Sequence, residues 1–335
     1  MATTYKLGKS PIEVTPIGLG TWQFSRSRGF AGRYWASIPQ ERVVEIVRAT
    51  LDGGINWFDT AEVYGNGASE ESLAEALREI GVARDAYIIA DKWFPAFRTK
   101  RSIAKTFPVR ERSLAAIATN STVRPAVDLH QIHQPFSFSR VESQAAEMGR
   151  LVDDGRIRAV GVSNFNESRM RRAHDRLATM GLPLASNQMR YSLIDREIER
   201  NGVLDAAKEL GITIIAYSPL SQGILTGRFH DGDDIRSKQG PRKWLRRFKP
   251  VGLAATRPLV ECLRAVAAAH DCSPAQVALA WTVQMHGTSI VAIPGASSPS
   301  QAASNAAALT VRLSPEELAE LDEKGRAAER ALKKK

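Results

Sequence analysis

The chain has 335 residues, of which 43% are apolar and 24% charged, so it is ordinary globular material, long enough to bury a large core. No apolar run approaches the roughly 18 residues that cross a bilayer, and the first twenty residues lack the basic start and apolar stretch of a signal peptide; a cytoplasmic address without a membrane partner is expected. The two cysteines, Cys262 and Cys272, have neither metal spacing nor a second pair, which argues against a zinc site or a disulfide framework, and the net charge of +10 reads as a basic surface with a taste for phosphorylated ligands rather than as a nucleic-acid site.

In chain order, residues 5–14, with a Gly8-Lys9-Ser10 turn, read as a hairpin able to close the bottom of a barrel. Stretches rich in Ile and Val then recur, each followed by an amphipathic segment, the pattern of β-α units around a parallel sheet. Eight strands are expected at 16–22, 55–61, 86–93, 126–133, 157–164, 184–189, 213–220 and 289–296. Helical spacing predicts helices that include 40–52, 70–80, 142–154, 167–179, 197–210 and 258–270, several with glycine stops at Gly53, Gly155 and Gly211. Residues 221–256 form a long connection after the seventh strand. At 314–335 a terminal helix is expected, with Ser314 as N-cap, Pro315 at its first position and Glu317 completing a capping box. No linker or low-complexity block divides the chain, so the expected fold is α/β: one (β/α)8 TIM-barrel domain spanning 1–335, with an N-terminal β-hairpin, long loops after strands 1 and 7, and a C-terminal helix.

The chemistry gathers at strand ends. The second unit reads Gly54-Ile-Asn-Trp-Phe-Asp59-Thr-Ala-Glu-Val-Tyr64-Gly, the third strand ends in Asp91-Lys92-Trp93, and the fourth in His130-Gln-Ile-His133. Asp59, Tyr64, Lys92 and His133 thus come from the carboxyl ends of three successive strands, the face on which barrel enzymes build their sites. Buried Asp and Lys at strand ends are costly unless paired, so these two are expected to meet. A neighbouring ammonium favours phenolate and is expected to pull the Tyr64 pKa down, easing proton donation, while His133 bonds and orients a substrate oxygen. His130 alternates to the opposite side of its strand and reads as structural.

On these residues, together with Gly161-Val-Ser-Asn-Phe165, Tyr217-Ser-Pro-Leu220 and Ile293-Pro-Gly295 in the same order, the chain resembles the aldo-keto reductase superfamily over about residues 5–310. The resemblance implies a (β/α)8 barrel, NAD(P)H-dependent reduction of an aldehyde or ketone to an alcohol, and Asp59, Tyr64, Lys92 and His133 as a catalytic tetrad with Tyr64 the general acid. It implies a cofactor site in which Asp59, Ser163, Asn164 and Gln188 surround the nicotinamide amide and Tyr217 stacks on its ring. Ser218, Pro219, Leu220, Gly223 and Arg228 would follow the pyrophosphate, and Gly295, Ser297, Gln301 and Asn305 the adenosine end. These types suit the task, since amides read an amide and backbone N–H groups with a guanidinium suit paired phosphates. No G-x-G-x-x-G follows a strand, so a doubly wound dinucleotide site is not expected.

Many relatives carry Lys or Arg at the position of Ser297. The loop 236–249, with seven Lys or Arg and no acid, is a candidate source of the missing charge, and with Arg228 it motivates NADPH (NADP+) in preference to NADH. The loop 22–35, with Trp22, Tyr34 and Trp35, is expected to wall the substrate site together with Trp93, Phe94 and Phe97 beside Tyr64 and His133, favouring a flat small-molecule carbonyl, with Arg26, Arg28 and Arg33 adding a taste for acidic groups. Two other readings stay open at this level. One is a cofactor-binding regulatory or sensor protein with little turnover, since the potassium channel beta subunits resemble this fold; the other is a polyanion-binding surface on loop 236–249.

Overall fold

The computed structural model describes residues 3–32, 34–114, 125–233 and 244–333. Two antiparallel strands, β1 (Tyr5–Lys6) and β2 (Glu13–Val14), form the expected hairpin. Its turn lies against the starts of two later strands: Gly8 N donates to Thr213 Oγ1 at 2.7 Å, and a Cβ on Gly8 would stand 2.6 Å from the Ala185 carbonyl oxygen. Only glycine tolerates both that approach and the φ of +56° found there.

Eight parallel strands follow: β3 (Leu19–Gly20), β4 (Trp57–Asp59), β5 (Ile88–Trp93), β6 (Leu129–Ile132), β7 (Ala159–Ser163), β8 (Leu184–Arg190), β9 (Thr213–Tyr217) and β10 (Ile290–Ile293). Each pairs with its sequence neighbour, and the parallel bridges Ile17 to Ala292 and Gly20 to Gly295 bring the last strand round to the first. Both faces of these strands are covered, so β5, β6 and β10 are buried along their whole length; this is why their sequences read as apolar runs. The first strand is far shorter than expected: Pro16, Gly18 and Gly20 weaken it, and Trp22 already opens a 3-10 turn.

Helices surround the sheet: α1 (Gln40–Asp52), α2 (Ala68–Ile80), α3 (Arg101–Ser113), α4 (Val141–Asp153), α5 (Glu167–Ala178), α6 (Val203–Leu210), α7 (Pro250–Ala269), α8 (Pro274–Gln284), α9 (Pro299–Ala307) and α10 (Pro315–Lys333). Two expectations need correction. The helix at 197–210 is a 3-10 turn, Glu197–Glu199, and a separate α6, because Gly202 takes a φ of +80° between them. The helix expected from 258 begins at Pro250, and Pro258 lies inside it on the exposed side, where the carbonyl left without an N–H partner is not shut away from solvent. α8 lacks the amphipathic signature because it is buried nearly all round, although its Ser273/Gln276 capping box is complete. The capping box expected on α10 is present: Ser314 N donates to Glu317 Oε2 at 2.8 Å and Glu317 N to Ser314 Oγ at 3.2 Å. Among the described residues no helix is long and apolar enough to cross a membrane.

Candidate active site

Lys92 is fully buried at the end of β5, and period-2 alternation turns it into the barrel while Asp91 and Trp93 face the helices. Its ammonium bonds Asp59 Oδ1 and the Thr60 carbonyl oxygen, the latter at 2.8 Å. The second oxygen of Asp59 accepts from Gln188 Nε2 at 2.8 Å and from Gln131 Nε2 at 3.2 Å. A buried ion pair is tolerable when its remaining lone pairs are filled, and here two amides, from β6 and β8, fill them. Gln131 was not singled out in the sequence. The signal was available, since it lies two residues before His133 and so shares its side of the strand.

Tyr64 stands on the loop after β4, its ring centroid 5.1 Å from the Lys92 nitrogen. Trp22 stacks on the Tyr64 ring at 5.7 Å between centroids and 18° between planes, and His133 meets it edge-on at 5.7 Å. The four residues grouped from the sequence are therefore together. The expected direction of the Tyr64 pKa is corrected: burial pushes the phenol above its ordinary value, and the opposing pull of Lys92 does not overcome it. The ammonium is already spent on Asp59. Tyr64 consequently holds its proton at neutral pH.

Burial also raises the Asp59 carboxyl against the pull of Lys92, and Asp59 and Tyr64 keep Lys92 above its usual value although burial works the other way. His133 is held well below 6.5, by burial first and then by the Lys92 charge, so its imidazole is neutral at pH 7. Its Nδ1 is buried without a hydrogen-bond partner among the described residues. Because the unfolded chain takes up a proton near pH 6.5 that the folded His133 refuses, stability falls as pH drops below that value. Thermal melts from about pH 7 to about pH 5 are expected to show a steeper loss of Tm for the wild type than for His133→Asn. Parallel profiles would count against a neutral, buried imidazole.

A second set lies across the barrel mouth. At the end of β7, Ser163 Oγ donates to the Gln188 carbonyl oxygen at 3.0 Å, and Asn164 Nδ2 donates to Ser163 Oγ at 3.0 Å. Tyr217 OH, at the end of β9, donates to Asn164 Oδ1 at 3.0 Å. Asn164 and Ser218 both take positive φ, 59° and 54°, so the chain leaves β7 and β9 in a sparsely populated conformation that aims their next residues along the rim. Farther on, Gln222 and Gly223 repeat positive φ, and Arg228 lies beside Gly223. At the last strand, Ser297 N and Oγ donate to Gln301 Oε1 at 2.9 and 3.0 Å, and Asn305 Nδ2 reaches the Gly295 carbonyl oxygen at 3.4 Å.

One cleft of about 1420 Å³ joins the two sets, lined by Trp22, Asp59, Tyr64 and His133 at one end and by Arg228, Gly295, Ser297, Gln301 and Asn305 at the other. Ser163, Asn164, Gln188, Tyr217, Ser218, Pro219, Leu220 and Gly223 line its middle. Lys92 lies beneath its floor. Three expectations fail. Trp93 packs outside the barrel with its indole N–H on Ser102 Oγ at 3.1 Å, because it alternates with Lys92, and Phe97 is 89% exposed, whereas Trp22 and Phe94 do join the wall. Arg26 is held by Glu75 at 2.8 Å and Arg28 lies 3.8 Å from Glu71, so both face α2 rather than the cleft, while Arg33 is outside the described residues. Of the basic loop, residues 236–243 are outside the described residues, and Arg247, further on, is engaged by both oxygens of Asp195 at 2.9 and 3.0 Å.

Tyr34 and Trp35, at the end of the loop expected to wall the site, do line the cleft with Trp22, and so do two cations not singled out in the sequence, Arg42 and Arg190. The Arg190 guanidinium is 5.8 Å from the Tyr217 ring centroid. Alternation from Gln188 would have found it. His130 is where alternation put it, outside the barrel, with Nδ1 3.3 Å from Asp91 Oδ2 and its ring edge-on to Phe107.

Similarity to known proteins agrees with this arrangement. A sequence model described as the Aldo/keto reductase family matches residues 16–326. A Mycobacterium tuberculosis protein described as an uncharacterized oxidoreductase is 37% identical over 317 residues, covering 94% of this chain and 90% of its own. Among solved structures, the glycerol dehydrogenase of Gluconobacter oxydans is similar with a TM-score of 0.78 and 26% identity, over 96% of this chain and 94% of its own. An aldo-keto reductase of Klebsiella pneumoniae in complex with NADPH is similar with a TM-score of 0.71 and 28% identity, over 96% and 95%.

Proposed function

Since the chain belongs to the aldo/keto reductase family and is an NAD(P)H-dependent oxidoreductase, we propose that it reduces an aldehyde or ketone to the alcohol with NADPH, Tyr64 serving as general acid. The observation that carries this reading is the Tyr64 ring 5.1 Å from the ammonium of the buried Lys92–Asp59 pair, in a cleft also lined by Ser163, Asn164 and Arg228.

The chain's own residues fit the cofactor. Amide and hydroxyl groups at 163, 164 and 188 suit a carboxamide, the Tyr217 ring suits a flat heterocycle, and Arg228 with the turn at Gly223 suits a pyrophosphate. Gly295 leaves the floor open where a Cβ would come within 2.1 Å of the Gln23 amide. When bound, the reduced nicotinamide supplies a hydride to the carbonyl carbon. Tyr64 then gives its proton to the carbonyl oxygen, and Lys92 stabilises the phenolate left behind. Asp59 keeps Lys92 charged, and the neutral His133 orients the oxygen without adding a competing charge. Trp22, Tyr34, Trp35 and Phe94 give the substrate end apolar, flat walls suited to an aromatic or otherwise planar carbonyl.

The test is a panel of aldehydes and ketones followed by loss of NADPH absorbance, run beside Tyr64→Phe. Turnover absent across a broad panel would favour the cofactor-binding sensor instead. With Arg228 on the pyrophosphate, the lining residues that suit the extra phosphate of NADPH are Arg42, Ser297 and Gln301. NADPH is expected to bind more tightly than NADH, with the advantage shrinking as salt rises from about 0.1 M to about 1 M. Equal affinities indifferent to ionic strength would defeat this choice.

A further inference from the structure

Glu62 lies two residues before Tyr64 and has no part in the mechanism above, yet its carboxylate is almost fully buried. Its Oε1 accepts from Phe94 N at 2.5 Å and from Arg98 Nη1 at 2.6 Å; its Oε2 accepts from Arg110 Nη1 at 2.7 Å. The Arg110 Nε in turn lies 2.7 Å from Oε1 of the fully buried Glu70 at the start of α2. Through its own backbone, Glu62 N donates to the Lys92 carbonyl oxygen at 3.2 Å. One side chain thus ties the loop that carries Tyr64 to the end of β5, to the loop after it and to α3.

The tie reaches the third loop as well. The Arg98 carbonyl oxygen accepts from Phe138 N at 3.1 Å and from Ser137 Oγ at 3.0 Å, fastening the segment that follows His133. Phe94 lines the cleft and meets the His133 ring edge-on at 5.8 Å. The proton donor, the aromatic wall and the orienting imidazole therefore have their backbones referred to one carboxylate. Its two guanidinium partners differ: Arg110 is 8% exposed and Arg98 39%. Arg110 is the fixed anchor, and Arg98 is the partner that solvent can reach.

We propose that Glu62 is a positioning residue that couples the Tyr64 loop to the substrate-wall loop, with Arg98 as the link that fixes the wall. This rests on the carbonyl-reductase reading for its kinetic half only. A charged, hydrogen-bonded tie of this kind holds geometry more than it adds stability, because apolar residues of like volume can replace a buried ion pair at little cost. Positioning errors at a reacting centre, by contrast, are expensive in rate.

The experiment compares wild type, Glu62→Gln, Arg98→Met, Arg98→Lys and the Glu62→Gln/Arg98→Met double variant. Amide hydrogen exchange is followed by mass spectrometry over residues 60–67 and 94–100, beside kcat, KM for the carbonyl and NADPH affinity. In Arg98→Met, exchange is expected to rise in both segments, KM to rise severalfold and kcat and cofactor affinity to hold; Arg98→Lys restores KM. Glu62→Gln is expected to lower kcat by about tenfold or more, and the double variant to be no worse, since residues acting through one link are non-additive. Exchange changes confined to 94–100 in Arg98→Met, or additive losses in the double variant, would overturn the coupling. Exchange is read without turnover, so a wild type that reduces no carbonyl counts against the reductase reading while the exchange result still decides the coupling.

Discussion

Tyr64→Phe is expected to lower kcat for carbonyl reduction by about 10²- to 10⁴-fold, the usual contribution of a positioned general acid, and to leave NADPH affinity within about twofold. The substitution removes one oxygen and keeps the ring. The stack on Trp22 at 5.7 Å and the edge contact with His133 depend on that ring, so the wall of the cleft stays in place. What is lost is, among the described residues, the only phenol that combines a position in the cleft with a buried ammonium over its ring. Tyr34 and Tyr217 also line the cleft, but the Tyr217 hydroxyl donates its hydrogen bond to Asn164 and the Tyr34 hydroxyl accepts from Gln222. The expected signature is therefore a fall in kcat with KM nearly constant, an interaction lost in the transition state alone. A variant that keeps more than about a tenth of the wild-type kcat would remove Tyr64 from the acid's role.

The raised pKa of Tyr64 sharpens that expectation. An acid pulled strongly downward would be part phenolate at neutral pH and would lose activity as pH climbed through a lowered value. With burial holding the phenol above 10, activity that depends on its proton persists through the neutral range. The sequence led to the opposite direction because it shows which charges are neighbours and not how deeply they are buried, nor that Lys92 is shared with Asp59 and the Thr60 carbonyl.

Other features divide along the same line. The eight strands were legible because covering both faces of a parallel sheet demands uninterrupted Ile and Val, and the strand-end group was legible because Asp59 and Lys92 are anomalous in such runs. Trp93 was misplaced although alternation forbids it from sharing a side with Lys92. Applied from His133 and Gln188, the same rule yields Gln131 and Arg190, both on the inner side. Arg26 and Arg28 were not predictable in this way: what removes them from the cleft is a pair of acids, Glu71 and Glu75, on a helix more than forty residues away in sequence. The cofactor-lining set is spread over the ends of β4, β7, β8, β9 and β10, the turn after β9 and a nine-residue helix, and only the resemblance gathered it.

Asp59→Asn is expected to cost about 3–5 kcal/mol of stability, the range for breaking a buried ion pair by removing one partner. The new amide has an oxygen and two N–H donors where the carboxylate had two acceptors. Lys92 approaches one side and the amides of Gln131 and Gln188 the other, and all three are donors. Whichever way the amide turns, donor faces donor on one side, and the Lys92 ammonium stays buried without its counter-charge. The pH dependence gives a second reading. Burial lowers the Lys92 pKa, but Asp59 and Tyr64 together raise it past the ordinary 10.5, so its contribution is full below that value and is lost as pH climbs through the folded value. Removing Asp59 removes the main source of that rise, and the gap between wild type and variant in urea unfolding is expected to narrow at strongly alkaline pH. Replacing both partners together, Asp59→Leu with Lys92→Met, leaves no buried charge and is expected to recover much of the stability while activity stays lost. A double variant as unstable as Asp59→Asn would mean that the pair is a structural keystone; recovery of stability without recovery of turnover places the value of the pair in Tyr64 and the proton it delivers.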